Sequence, residues 1–200
     1  MDCYMIRRGM KTIVYDSFNR SNGNLGTAES GQPWLTNGSA TTAWVVSANK
    51  AKRASATENV TDVAYINCGK QDVIVSGDIT IGSGSGSFGN YLVARMSGES
   101  VDNSILFYID SGGWIRIFKR ISGVVTSLAV GTYSITPGNS YSCSLSCIGN
   151  NFAASINGVV VLTATDDNAL KTNTIVGMFI PVYSAFSPDI DFIDNFTVKG

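Results

Sequence analysis

Residues 104–121 read SILFYIDSGGWIRIFKRI, two runs rich in β-branched and aromatic residues broken by Asp110-Ser-Gly-Gly. A short glycine-containing loop between two such runs is a β-hairpin signal. In the second run the side chains alternate. Ile115, Ile117, Lys119 and Ile121 share one face, and Trp114, Arg116, Phe118 and Arg120 share the other. One face is mostly aliphatic and suits a core. The other interleaves aromatic rings with guanidinium groups, which suits either a surface that meets a ligand or a second half of the core whose rim the arginine stems cover.

The same pattern extends in both directions. Trp44–Ala48, Ala64–Asn67, Asp72–Ile81 and Tyr91–Met96 precede the hairpin as strand candidates, with Ser76-Gly77 expected as a break. Val124–Val130, Tyr141–Ile148, Phe152–Ile156, Val159–Thr165, Thr174–Ile180 and Phe192–Val198 follow it. Between Asp16 and Ala40 a long connection dense in Gly, Asn and Ser is pinned by Phe18, Leu25 and Trp34. Asp166–Lys171 offers at most one helical turn. The 200 residues include 18 Val and 18 Ile but only 8 Leu, a balance that favours pleated sheet over helix. The expectation is an all-β, two-sheet antiparallel β-sandwich over residues 13–200, preceded by a short N-terminal arm, residues 1–12.

Composition removes several function classes. The chain has no His, which excludes Ser-His-Asp and Cys-His catalysis and His-ligated zinc. Fourteen basic and 15 acidic residues give a net charge of −1, so no overall field draws in nucleic acid or an anionic membrane. No long apolar run suggests a signal or a membrane anchor in the opening residues. Cys3, Cys68, Cys143 and Cys147 are expected to be free thiols. On one strand Cys143 and Cys147 would lie about 13 Å apart, beyond disulfide reach.

The opening YDSFNR…NLGTAESGQPW (Tyr15–Trp34), the strand YLVARM (91–96) and the ending DFIDNFTV (Asp191–Val198) resemble concanavalin-like, laminin-G-like jelly-roll domains. The resemblance implies that the first and last strands pair and that Phe18 and Phe196 fill one end of the core. It would also bring Asp16 and Asp194 together as ligands of a structural calcium ion, with Asp189, Asp191 and Asn195 as further oxygen donors. No other cofactor is expected. Jelly-roll glucanases carry acidic residues on a mid-sheet strand. Here the three Glu (Glu29, Glu58, Glu99) form no such motif, so the chain is expected not to be an enzyme.

Two binding roles remain. Domains with this opening are common in bacteriophage head and tail proteins and as modules of bacterial polysaccharide-active proteins. The first context implies a virion protein, a capsid decoration, head fibre or tail adhesin subunit made in the host cytoplasm. Its partners would be other virion proteins and further copies of itself. The arm, through Tyr4, Ile6, Arg7 and Arg8, would anchor it. The alternative is a carbohydrate-binding module whose sugar or host-glycan platform is built from Trp114, Arg116, Phe118, Arg120 and Tyr91, with Trp44 a weaker candidate.

Overall fold

A computed structural model of the chain describes residues 9–37, 44–54, 63–82, 89–167, 170–180 and 191–200. These form sixteen strands, β1 (Thr12–Asp16), β2 (Gly23–Asn24), β3 (Leu35–Thr36), β4 (Trp44–Ser47), β5 (Lys50–Arg53), β6 (Val63–Asn67), β7 (Val73–Thr80), β8 (Asn90–Met96), β9 (Ser104–Ile109), β10 (Trp114–Ile121), β11 (Val124–Thr132), β12 (Ser140–Ile148), β13 (Asn151–Ile156), β14 (Val159–Thr165), β15 (Ile175–Phe179) and β16 (Phe192–Lys199). Among the described residues there is no helix. A nine-stranded sheet runs β14-β13-β12-β7-β16-β5-β4-β2, with β1 also paired to β16. A seven-stranded sheet runs β11-β10-β9-β8-β15-β6-β3. All pairings are antiparallel. The expected two-sheet sandwich is the fold.

The hairpin at 104–121 forms as its turn chemistry directs. Asp110 O accepts the Gly113 amide at 3.1 Å, and Asp110 Oδ1 accepts the Trp114 amide at 2.9 Å. Gly113 adopts φ 80° while its carbonyl accepts the Tyr133 amide, and a Cβ there would lie 2.4 Å from Tyr133 O. Only glycine fits both demands.

The first and last strands pair, with Asp16 opposite Phe196. Phe18, Trp34 and Phe196 stack at that end of the core, with ring centroids 5.8 Å and 5.0 Å apart. Phe18 and Phe196 therefore fill one end of the sandwich together. β7 continues through Ser76-Gly77, and the irregularity falls instead on its neighbour β16, between Asp194 and Thr197. β5 was not visible in the sequence. Its hairpin with β4 turns through Ala48 and Asn49, both at positive φ.

Alternation sorts the seven-stranded sheet into two faces. Ile105, Phe107, Ile109, Ile115, Ile117, Leu92, Val176 and Met178 enter the core between the sheets, against Val73, Val75, Leu145, Cys147 and Phe152 of the other sheet. Tyr91, Val93, Leu106, Phe118 and Phe179 lie on the opposite parity and form a second apolar cluster with Val63, Tyr65, Met96 and Val101. In β7 the second face is only half-buried, the usual pattern for an antiparallel sheet with one solvated side. The seven-stranded sheet departs from it, since its outer face carries aromatic and aliphatic residues.

Candidate functional site

Strand register aligns the outer-face residues in rows. One row runs Phe179 (β15), Tyr91 (β8), Tyr108 (β9), Arg116 (β10) and Val130 (β11). The next runs Val93, Leu106, Phe118 and Ser127, and a third pairs Ser104, Arg120 and Val125. A cleft of about 280 Å³ opens on these rows, lined by Tyr91, Leu106, Tyr108, Arg116, Phe118, Arg120, Val125, Ser127 and Phe179. The volume lies at the small end of ligand sites, roughly 300–1,000 Å³, and suits a single ring better than a long chain.

Tyr91 is the hub of the floor. Its ring meets Tyr108 at 4.9 Å, Phe179 at 5.0 Å and Phe118, edge to face, at 5.8 Å. Tyr108 donates its hydroxyl to Asp110 Oδ2 at 2.5 Å. Burial, reinforced by the Asp110 hydrogen bond and charge, pushes its pKa far above the ordinary tyrosine value. The phenol therefore stays protonated, and its oxygen remains able to accept a hydrogen bond. At the rim Arg120 Nη2 pairs with Asp102 at 3.1 Å. The Arg116 guanidinium sits 5.6 Å from the centre of the Trp114 ring.

Of the five residues the sequence nominated for sugar contact, Tyr91, Arg116, Phe118 and Arg120 meet in this cleft. Trp114 does not line it. It stands beside the cleft, 48% exposed, and packs under Arg116. Trp44 belongs to the core between the sheets, which removes it as a surface candidate. Sequence reasoning missed Tyr108, Leu106, Phe179, Val125 and Ser127. Tyr108 was within reach, because the Asp110–Gly113 turn fixes Ile109 opposite Ile115 and therefore Tyr108 opposite Arg116. Phe179 was not, because its place depends on a long-range pairing.

Among the described residues, those expected to hold calcium make contacts within the chain. Asp16 is fully buried, and a buried carboxylate needs a positive partner, but that partner is Arg20. Arg20 Nη1 and Nη2 reach Asp16 Oδ1 and Oδ2 at 2.7 and 2.9 Å, in a two-pronged contact. Trp34 Nε1 donates to Oδ2 at 2.7 Å and the Phe18 amide to Oδ1 at 2.9 Å. Both Asp16 oxygens are thus engaged within the chain, while Asp194 lies near enough to feel the Asp16 charge. Asp194 Oδ1 accepts the Asn195 amide, and burial raises its pKa. Asn195 Nδ2 donates to Asp78, and Asp191 accepts from the Gly82 amide and Asn90 Nδ2. Among the described residues no group of three or more Cys, Asp or Glu is placed to hold a metal ion. Asp189, and the anchoring residues Tyr4, Ile6, Arg7 and Arg8, lie outside the described residues. Cys68, Cys143 and Cys147 are free thiols, the last two buried on one face of β12, and Cys3 lies outside the described residues.

The two-sheet β-sandwich, with an aromatic cleft on the outer face of one sheet, has solved structures of the same fold. The chain is similar to carbohydrate-binding module CBM66 from Bacillus subtilis, with TM-score 0.65 and 19% identity over 84% of this chain and 95% of that one. It is also similar to domain 4 of AbnA, a GH43 extracellular arabinanase from Geobacillus stearothermophilus, solved in complex with arabinotriose. There the TM-score is 0.60 and the identity 14%, over 95% of this chain and 92% of that one. The receptor binding domain of a botulinum neurotoxin C/D mosaic serotype gives TM-score 0.62 and 13% identity over 94% of this chain and 47% of that one. At these identities the likeness is one of fold. No family model matches the chain, and no curated protein matches it in sequence. The virion reading draws no support from these neighbours, and the anchoring residues of its arm, Tyr4, Ile6, Arg7 and Arg8, fall outside the described residues.

Proposed function

We propose that the chain is a non-catalytic carbohydrate-binding module, with residues 13–200 as its binding domain and the cleft on the seven-stranded sheet as its sugar site. The observation that carries this is convergence. Tyr91, Arg116, Phe118 and Arg120, from two strands not adjacent in the sheet, line one cleft with Tyr108 and Phe179. Aromatic surfaces complement the C–H faces of a sugar ring, while Arg and Ser127 at the rim offer hydrogen bonds to its hydroxyls. Neighbours of the same fold include a carbohydrate-binding module and a domain solved with arabinotriose, which supports the reading.

Hydrolysis fits this cleft poorly. Glycoside hydrolysis ordinarily needs two carboxyl groups flanking the scissile bond, and no carboxylate lines the cleft among the described residues. Asp110, just outside it, is engaged by the Tyr108 hydroxyl and the Trp114 amide.

A glycan array followed by calorimetry on the purified protein tests the assignment. Binding to a defined set of saccharides is expected, and Phe118→Ala should abolish it by removing part of the aromatic floor. A blank array from folded protein, or full affinity in Phe118→Ala, would overturn the reading.

A further inference from the structure

We propose that the saccharide taken by this cleft is an acidic one, a sugar bearing a carboxylate, and that Arg116 is the residue that recognises its charge. This rests on the assignment of the cleft as a sugar site.

Arg20 places two nitrogens on the Asp16 carboxylate. Arg95 donates to Gln71 O at 3.1 Å and to Asp72 at 3.0 Å. Arg120, in the cleft wall, is paired with Asp102. Arg116 differs from all three. Among the described residues no carboxylate or carbonyl accepts from its guanidinium, and its one close partner is the Trp114 ring. Stacking on an aromatic ring occupies the face of the guanidinium and leaves its in-plane N–H donors available. Those donors form a rigid planar fork whose spacing matches the two oxygens of a carboxylate.

The surroundings favour an anion over a neutral hydroxyl pair. Two arginines line the cleft and no carboxylate does. The nearest acids are already engaged, Asp102 by Arg120 and Asp110 by Tyr108 and the Trp114 amide. The floor beside Arg116 is Tyr91, Tyr108 and Phe179, three aromatic rings of which Tyr91 and Phe179 are buried. A carboxylate brought to such a surface is tolerated only where a cation meets it. The geometry therefore combines a ring-sized apolar floor with one unfilled guanidinium at its edge. That combination fits a uronic acid or similar carboxylated ring.

Matched ligand pairs test this. Oligosaccharides of galacturonate, of alginate and of glucuronate-containing hyaluronan are each titrated calorimetrically beside their carboxyl-reduced counterparts. Wild-type protein and the variants Arg116→Gln and Phe118→Ala are compared, with thermal melts confirming that each is folded. The expected result is at least one acidic oligosaccharide bound ten-fold or more tightly than its reduced form. Arg116→Gln should erase that preference while leaving the weak binding of the reduced form in place. Equal binding of both forms, abolished by Phe118→Ala, would overturn the acidic assignment and leave the sugar site standing. A preference that survives Arg116→Gln would remove Arg116 from the role. No binding of either form anywhere in the panel would overturn the sugar site and the acidic assignment with it.

Discussion

Arg20 and Arg116 are the same side chain put to opposite uses. Arg20 closes on a fully buried carboxylate, shares it with an indole N–H and a backbone amide, and also donates to the Leu25 carbonyl. The polar groups there satisfy one another inside the chain, and the result is a fastening between the long opening loop and the first strand. Arg116 stands on the outer face of the other sheet, stacked on a half-exposed tryptophan, with its hydrogen-bonding fork unfilled among the described residues. A closed polar network specifies a fold, whereas the open one beside an apolar floor is where the proposed sugar site lies. Substitutions in the two regions should therefore differ in whether they move stability or affinity.

The largest effect belongs to the closed network. Asp16→Ala leaves Arg20, only about a quarter exposed, without its carboxylate and strands the Trp34 indole N–H as well. Breaking a buried pair from one side costs about 3–5 kcal/mol, and the partial exposure of Arg20 places this case near about 3 kcal/mol. Urea denaturation should show that loss, while saccharide affinity measured well below the new midpoint stays at the wild-type value. A variant that keeps its stability but loses affinity would merge the two regions.

Gly89→Ala should disturb the open region from behind. Gly89 has φ 88°, and a Cβ there would lie 2.3 Å from the Tyr108 ring and 2.7 Å from Ile109 O. The backbone atom cannot yield, so the ring must move along with the strand it sits on. A cost of about 1–3 kcal/mol is expected. Affinity should fall by about tenfold, the equivalent of ~1.4 kcal/mol, because Tyr108 leaves the floor. Calorimetry beside a melting curve checks both numbers, and unchanged affinity would exclude Tyr108 from the site.

Much of this was legible because it is local. The hairpin β9–β10 follows from alternation and from the Asp110–Gly113 turn, and with it the shared face of Trp114, Arg116, Phe118 and Arg120. The Asp16–Arg20 pair was equally local, four residues apart in the motif that suggested the fold. Two acids at paired strand ends suggest a metal site from the sequence, and Arg20, four residues on, supplies a positive partner for Asp16 within the chain. β5 was missed for a different reason. Its residues are Lys-Ala-Lys-Arg, and the burial of Arg53 beneath the Ile180 carbonyl reverses the usual link between charge and exposure. The floor of the cleft depended on β8 pairing with β15, which no local pattern encodes.

Alkaline pH distinguishes the two faces by the groups each one buries. Burial pushes the Cys143 and Cys147 thiols on the inner face up to about 12, from an ordinary value of 9.0. Above pH 9 the unfolded chain releases these protons while the folded chain keeps them. Stability is therefore complete below that pH and falls as pH rises, by about 1.4 kcal/mol per pH unit for each thiol. Tyr108, on the outer face, adds to the slope only above pH 10, where an unfolded tyrosine ionises. Urea midpoints between pH 8 and pH 10 should decline in the wild type and flatten in Cys143→Ala/Cys147→Ala. An equal decline in the double variant would mean that these thiols are not the source.

The smallest effect is the most discriminating. As a sugar platform, which is how the sequence presents it, Trp114 would be essential, and Trp114→Ala would remove binding outright. Under the acidic-saccharide proposal, its place outside the cleft, beneath the Arg116 guanidinium, would make it a positioning residue instead. An exposed cation–π contact is worth about 0.5–1 kcal/mol, so Trp114→Ala should weaken binding of an acidic oligosaccharide by only about two- to five-fold. The carboxyl-reduced form should be bound as before, because the floor of Tyr91, Tyr108 and Phe118 is untouched. Trp114→Phe, which keeps a ring under the guanidinium, should recover most of the loss. Stability should change by no more than about 0.5 kcal/mol, as for a surface residue. Complete loss of both ligands in Trp114→Ala would move the sugar onto the Trp114 ring and shift the site along β10 by one turn of the alternation.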